Sequence, residues 1–498
     1  MTRPGVQFAD IASAPRRFAP TATDTGFMIG LAERGPSTTW TLSRTFEEWT
    51  RNHGGRLATS QLADAAECFF ADGGAKLYTV RAVGPSAINA GVDLSGATLA
   101  TMRVAAKYPG VLYNAITVDV VVASTTFQVV VKDTAGSISG VAGSILETSP
   151  FFSSVTEAVA WSAGSSYVVI TDLVTASDNP VAVTNVALTG GTDDAGAITQ
   201  TQYDTALSKL VSTLGPGQVA APGVATTAMN TSLANHAAAN NRFAVGDLVN
   251  SSSKATLKTA AAAVTGLVNA RHILLVGGYQ TIPALVAGSP RTVSRVGTVM
   301  GLIARSDIAT GNPNLAVAGD QSSAAGDSVF ATGLVYEPTD ADREELNEAG
   351  VNMAINYYGA IRNYGFRTAA SKVALPNHWQ ASNVRLDMAI KAEAIAVGDR
   401  YVFRQIDGRG HTAADFGAEL TGILLRYLAL GALYTDEAQG GAGLASSAFL
   451  VSTGSGVNTP ELVADGVLSA VIQVRRSPFA ELVQINVRVV STREELVA

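Results

Sequence analysis

The chemistry that stands out in this sequence belongs to backbone groups rather than to side chains. PGVQFADI at residues 4–11 and SPFAELVQINVRVVST at 477–492 read as extended segments near the two ends, and neither has a sequence-adjacent partner strand. An unpaired strand presents a row of N–H donors and C=O acceptors, which is a template for another chain. In the second run Val483, Ile485, Val487 and Val489 alternate with Gln484, Asn486 and Arg488, so one face is apolar and the other polar. A protein with such a segment at each end can lend a strand to one neighbour and accept one from another. The residues predicted to make this inter-subunit pairing are Pro4, Gly5, Val6, Phe8 and Ile11 at the N-terminal end, and Phe479, Leu482, Val483, Ile485, Val487 and Val489 at the C-terminal end. Pro15, Pro20 and Pro478 fix φ and interrupt pairing, which makes them the predicted hinges.

Side chains offer less. Cys68 is the one cysteine, in the apolar run AECFFADGG, and reads as a small buried hydrophobe. His53, His236, His272, His378 and His411 are scattered without the spacing of a metal site. TDAD at 339–342 reads as a helix cap, since no EF-hand spacing follows. GPGQVAAPG (215–223) lacks the Lys-Ser/Thr ending of a phosphate loop, and HILLVGGYQ (272–280) is not followed by the remaining glycines of a dinucleotide fingerprint. No nucleophile elbow of the form G-x-S-x-G occurs. No catalytic, cofactor-binding or metal-ligating residue is therefore assigned.

The elements that must carry the two arms follow from composition. The chain has 498 residues, 15% of them charged, and a net charge of −7, which excludes disorder and any global basic field for nucleic acid. No run approaches the ~18–20 apolar residues of a membrane span. MTRPGVQF lacks the apolar stretch of a signal peptide, so a soluble protein made in a reducing cytoplasm is expected. The fold class is α/β (α+β) and multidomain. Residues 1–24 form an extended arm. Residues 25–84 give a strand (25–33), a helix with Phe46 and Trp49 that Ser43 can cap, a second helix from about Ser60 to Gly73–Gly74, and a strand at 76–83. Residues 85–197 are β-rich, with strands expected at 116–123, 126–133 and 166–173. They hold nine acids and three bases, a balance of −6, and read as an inserted domain facing solvent.

Residues 198–335 return to α/β. Tyr203, Leu207, Leu210, Val211 and Leu214 share a helical face, 242–248 and 272–278 read as strands, and 291–307 reads as an amphipathic helix through Val293, Val296, Met300 and Ile303. Together with 25–84 this suggests a sheet covered by helices on both faces. Residues 336–476 begin with an acidic helix ended by Gly350, followed by two strands, a long helix from Asp415 to Leu428, and strands at 447–453 and 466–476. Residues 477–498 are the second arm.

Several of these segments resemble, in order, the contractile tail sheath proteins of myophages and related injection machines. They are PGVQFADI, FMIGLAERGP with FEEW, FFADGGAKLYTVR, AKYPGVLYNAITVDV, VMGLIARSDIATG, LNEAGVNMAI through GFRT, and SPFAELVQINV. The stretches 134–190 and 312–330 conform least, and Phe366 stands where the family usually has tryptophan. The resemblance implies a sheath-type α/β core with a β-rich inserted domain turned outward. It implies a homo-oligomer of stacked six-fold rings around a tail tube protein, bounded by baseplate and tail terminator proteins. It implies arm-strand exchange between subunits, no cofactor, no nucleic acid and no membrane binding by the chain itself. The place is a virion tail assembled in the host bacterial cytoplasm, and shortening of the sheath drives the tube through the host envelope. Two other readings stand beside it: a doubly wound α/β enzyme with a β-rich lid, and a static tube or capsid component.

Overall fold

A computed structural model describes residues 22–174, 178–284, 290–320, 326–435, 448–481 and 483. The run GFMI is apolar on both sides of the chain, and it forms the heart of β1 (Thr25–Gly30), buried throughout. Successive side chains alternate across a strand, so Phe27 and Ile29 enter one core and Met28 the other. β2 (Thr41–Ser43) is a short edge strand. α1 (Phe46–His53) and α2 (Leu62–Ala71) then lead to β3 (Lys76–Arg81), which is parallel to β1. Thr45, not Ser43, caps α1, its side chain accepting from the Glu48 N–H at 3.1 Å. Ser43 is taken up by β2, whose pairing with β3 places the helix start two residues later.

The segment that follows builds sheets of its own. β4 (Gly91–Ser95), β5 (Ala100–Ala106), β6 (Ile116–Ala123), β7 (Thr126–Asp133) and β8 (Ser144–Thr148) precede α3 (Val155–Ser162), β9 (Val168–Asp172) and β10 (Val183–Ala187). They form the antiparallel sheets β10-β6-β7-β8 and β4-β5-β9. One core, with Val118, Phe127, Val129, Phe152 and Ile170, lies among them. The strands at 116–123 and 126–133 coincide with their sequence expectation, because each is an eight-residue run rich in β-branched residues. The helix α3 lies in a Ser/Thr/Ala stretch with no strong stripe and was not expected.

The chain then returns to the first sheet. α4 (Gln200–Ser208), β11 (Gln218–Ala220), α5 (Thr227–Ala239), β12 (Phe243–Asp247), α6 (Lys254–Thr265) and β13 (Ile273–Val276) alternate as in a doubly wound fold. α4 stops at Ser208, so Val211 falls outside the expected helical face and is exposed. β14 (Tyr279–Ile282) and β15 (Arg291–Ser294) pair antiparallel and lead into α7 (Val296–Thr310). The expected amphipathic helix at 291–307 is thus a strand and a helix. α7 is buried on every side, which is why a one-face reading failed. Gly297 and Gly301 let α2 lie against it: a Cβ on Gly297 would stand 2.2 Å from the Ala65 carbonyl oxygen, and one on Gly301 2.6 Å from that of Phe69.

β16 (Asp327–Ser328), β17 (Gly333–Leu334), α8 (Asp340–Glu348), β18 (Val351–Asn352), β19 (Ala354–Tyr357) and β20 (Ala360–Asn363) follow. β18 completes the main sheet, whose order is β18-β13-β12-β11-β1-β3-β2, all parallel except β2. α2 and α7 cover the face with Met28, Leu77 and Val245; α4, α5 and α6 cover the face with Phe27, Ile29 and Val219. α9 (Ala381–Gly398) was not legible as a helix. It gives Ala381, Val384 and Met388 to the main core and Leu386, Ala389 and Ile390 to a C-terminal core, so no single apolar stripe remains. α10 (His411–Ala429), β21 (Phe449–Ser452) and β22 (Val471–Val474) complete that second core.

Candidate subunit interface

β21 and β22 pair antiparallel, Phe449 opposite Val474 and Val451 opposite Ile472, and these four side chains pack on α9 and α10. The other face carries Leu450, 53% exposed, and Val471. Among the described residues this sheet has two strands only, so the outer side of each is an open edge along Phe449–Ser452 and Val471–Val474. An open edge accepts another strand through backbone hydrogen bonds. The sequence expectation of a larger C-terminal sheet included the terminal run, of which 484–492 lies outside the described residues.

The chain leaves β22 under close restraint. The Tyr434 N–H donates to the Arg475 carbonyl at 2.9 Å, and the Ser477 N–H to that of Ala432 at 2.9 Å. Asn314 Nδ2 donates to the Ser477 carbonyl at 2.8 Å. Arg476 forms an ion pair with Asp387 and donates from Nη2 to the Asn377 carbonyl at 2.8 Å. Burial pushes the Asp387 carboxyl up to about 6, with Arg476 and Arg271 pulling the other way. Beyond Pro478, the Phe479 ring lies 6.4 Å from Trp379, and the Phe479 carbonyl accepts from Gln380 Nε2 at 3.3 Å. Arg367 Nε donates to Glu481 at 2.8 Å while its guanidinium stands 4.8 Å over Trp379. Val483 is 74% exposed. The root of the C-terminal arm is therefore held on its own subunit as far as Glu481.

The other end is rooted close to the same helices. The Thr23 hydroxyl donates to Asp307 on α7 at 2.6 Å, and the Thr23 carbonyl accepts from Gln218 Nε2 at 2.6 Å. Asp307 is also paired with the buried Arg385 of α9. Of the predicted arm and hinge residues, Phe479, Pro478 and Val483 are thus placed. Pro4, Gly5, Val6, Phe8, Ile11, Pro15, Pro20, Leu482, Ile485, Val487 and Val489 lie outside the described residues. The sequence reading missed the fastening groups Trp379, Arg367, Asp387 and Glu481. Only the run of Arg475 and Arg476 beside a strand hinted at them.

A doubly wound enzyme would bind its ligand beyond the strand ends where the sheet order reverses, here between β1 and β11. That crevice is filled by the chain itself. The Ser60 hydroxyl donates to the Leu31 carbonyl at 2.7 Å, Leu62 packs on Gly30, and the Gln61 side chain lies over Gly223. The adjacent Asp247 accepts from the Gly223 N–H at 3.0 Å, and burial pushes its carboxyl up to about 7. The buried Cys68 thiol is likewise raised by burial, which keeps it protonated and unreactive. Among the described residues no cluster of three or more His, Cys, Asp or Glu side chains could hold a metal, and no helix is long and apolar enough to cross a membrane.

No protein-family model matches the chain, and no curated protein matches its sequence. Solved structures do match its fold. The sheath tail protein Lin1278 from Listeria innocua superposes with a TM-score of 0.60 at 14% identity, over 89% of this chain and 90% of its own. The sheath of an extracellular contractile injection system in its contracted state gives 0.56 at 12% identity, over 98% of both chains. The baseplate of the anti-feeding prophage, six-fold symmetrised, gives 0.53 at 14% identity, over 98% of this chain and 99% of that one. The chain has the fold of the sheath proteins of contractile tails and injection systems.

Proposed function

We propose that this chain is the structural subunit of a contractile tail sheath. Copies stack in six-fold rings around a tail tube, between a baseplate and a terminator, and the polymer shortens and widens to drive the tube through a host envelope. The observation that carries the reading is the correspondence of fold over nearly the full length of chains from contracted sheaths. The open-edged β21–β22 sheet supports the finer mechanism. In it, the part of the N-terminal arm (1–24) before Thr23 from one neighbour and the part of the C-terminal arm (477–498) beyond Glu481 from another add strands to that sheet. Each added strand makes several backbone hydrogen bonds worth about 0.5–1.5 kcal/mol net apiece. Those bonds hold neighbours together while weaker surface contacts exchange. The −6 balance of residues 85–197 suits an outward-facing inserted domain. The free energy of contraction resides in the lattice, and the subunit needs no nucleotide or catalytic group.

Negative-stain microscopy of the purified protein tests this. Tubes of two widths and pitches are expected; tubes of one width support a static assembly instead, and monodisperse particles at all concentrations sink the reading. Removal of residues 1–20 or 480–498 is expected to leave a folded monomer that forms no tubes. Normal polymerisation of either truncated chain would refute arm exchange while leaving the sheath reading standing.

A further inference from the structure

Between the turn that precedes β13 and the middle of α9 lies a cavity of about 270 Å³. Arg271 and His272 line it from the core, Asp387 and Lys391 from α9, and His378 from the segment that leads into α9. Charge around this space is out of balance. The carboxylate here, that of Asp387, is taken up by Arg476 from the root of the C-terminal arm, with His378 Nε2 at 3.8 Å. Arg271 donates from Nε to His272 Nε2 at 3.1 Å, and neither Arg271 nor Lys391 forms an ion pair among the described residues. Arg242, which also lines the cavity, is turned to the Leu210 and Val211 carbonyls. The histidines feel the excess of positive charge. Burial first, then Arg271, Lys391 and His378, push the His272 imidazole down to about 4. Burial, then Arg476 and Arg271, hold the His378 imidazole below its ordinary range.

Charge and size together identify the ligand class. Arg271 is half-buried, and a guanidinium drawn out of water without a counter-ion carries a cost that an anion removes. Its planar fork matches the oxygens of a phosphate group, and the Lys391 ammonium adds a point charge from another element. The volume falls below the roughly 300–1,000 Å³ of organic-ligand sites, which suits a compact ion rather than a strand or helix of another chain. We infer that this cavity is a binding site for a phosphate-type oxyanion, held between Arg271 and Lys391 with His272 and His378 as neutral hydrogen-bonding neighbours. The site belongs to the single subunit and does not rest on the sheath reading. A bound ion ties the turn before β13 to α9, beside the Asp387–Arg476 pair that fastens the C-terminal arm.

Isothermal titration calorimetry of the full chain with inorganic phosphate at low ionic strength tests the site. One saturable site per chain is expected. Sulfate should compete for it, and sodium chloride at matched ionic strength should not abolish it. Arg271→Gln and Lys391→Gln are each expected to weaken phosphate binding by about tenfold, the weight of one charge-assisted hydrogen bond. Tripolyphosphate separates two sources of the same chemistry. Tighter binding than inorganic phosphate assigns the site to the phosphate end of a larger molecule, and equal or weaker binding assigns it to the free ion. Absence of a saturable heat with both ligands overturns the site. Unchanged affinity in both variants overturns it too, as does loss of the heat in matched chloride, the mark of diffuse screening. Should Arg271→Gln melt well below the wild type, Lys391→Gln, at an exposed position of α9, decides alone.

Discussion

The Arg81 guanidinium stands 3.5 Å from the Asp193 carboxylate, joining the last residue of β3 to the returning linker of the inserted segment. Arg81 is completely buried. Its Nε donates to the Ala32 carbonyl at 2.8 Å and its Nη1 to the Pro109 carbonyl at 2.6 Å. One side chain thus holds the core strand, the way into the inserted sheets and the way out. The linkers also pair directly, the Gly84 N–H donating to the Asp193 carbonyl at 2.8 Å and Ile88 bridging Thr192. The inserted sheets are fixed to the core by two paired linkers and a buried cation.

Replacing Arg81 by leucine should therefore do more than unfold a surface detail. Three acceptors lose their donor in a dry site, where breaking such an arrangement costs about 3–5 kcal/mol. Urea unfolding should record a loss of that order. Limited proteolysis should cut first near residues 84–88 and 190–197. Unchanged stability with intact linkers would show that the backbone pairs alone hold the insertion.

Asp247 gives a pH dependence with a definite sign. Its folded-state value of about 7 lies above the ordinary carboxyl value of 3.8 because burial disfavours the charge. The folded state therefore binds the proton more tightly than the unfolded chain. The stabilisation from that proton is complete below about pH 4 and is lost as pH rises through 7. Asp247→Asn should gain in Tm relative to the wild type from pH 5 to pH 8. A constant difference across that range would mean that the carboxyl is not raised.

The fastening of the C-terminal arm root is open to a protease test. Loss of the Arg476–Asp387 ion pair in Asp387→Ala leaves Arg476 with the Asn377 carbonyl and frees the segment before Pro478. Trypsin should then cleave after Arg475 and Arg476 several-fold faster than in the wild-type monomer, while the melting temperature of the main core changes little. Equal cleavage would assign the restraint to the Leu433–Arg476 backbone pairing and to Phe479 on Trp379.

Much of the α/β core was readable because its elements announce themselves locally. The run at 25–30 is apolar on both faces, as a central parallel strand must be. The strands at 116–123 and 126–133 are rich in β-branched residues, and Thr339 and Asp342 cap α8 as their spacing suggests. The misread helices share one cause. α7 and α9 are surrounded by protein, so their sequences lack the single stripe by which a surface helix is recognised. Ser43 was a plausible cap until β2 claimed it. The ion pairs Arg476–Asp387 and Arg367–Glu481 join residues 89 and 114 positions apart, a separation over which no local pattern speaks.

From the sequence alone came the class of fold and the placing of an acidic β-rich segment between α/β segments. Both depend on neighbours within a few residues, or on composition. The tertiary structure decided how the pieces close on one another. It showed that the crevice of the doubly wound sheet is filled by Ser60–Leu62, and that among the described residues the β21–β22 sheet has only two strands. Such properties are set by what lies on the far side of a side chain or a strand edge, and residues distant in the chain supply it.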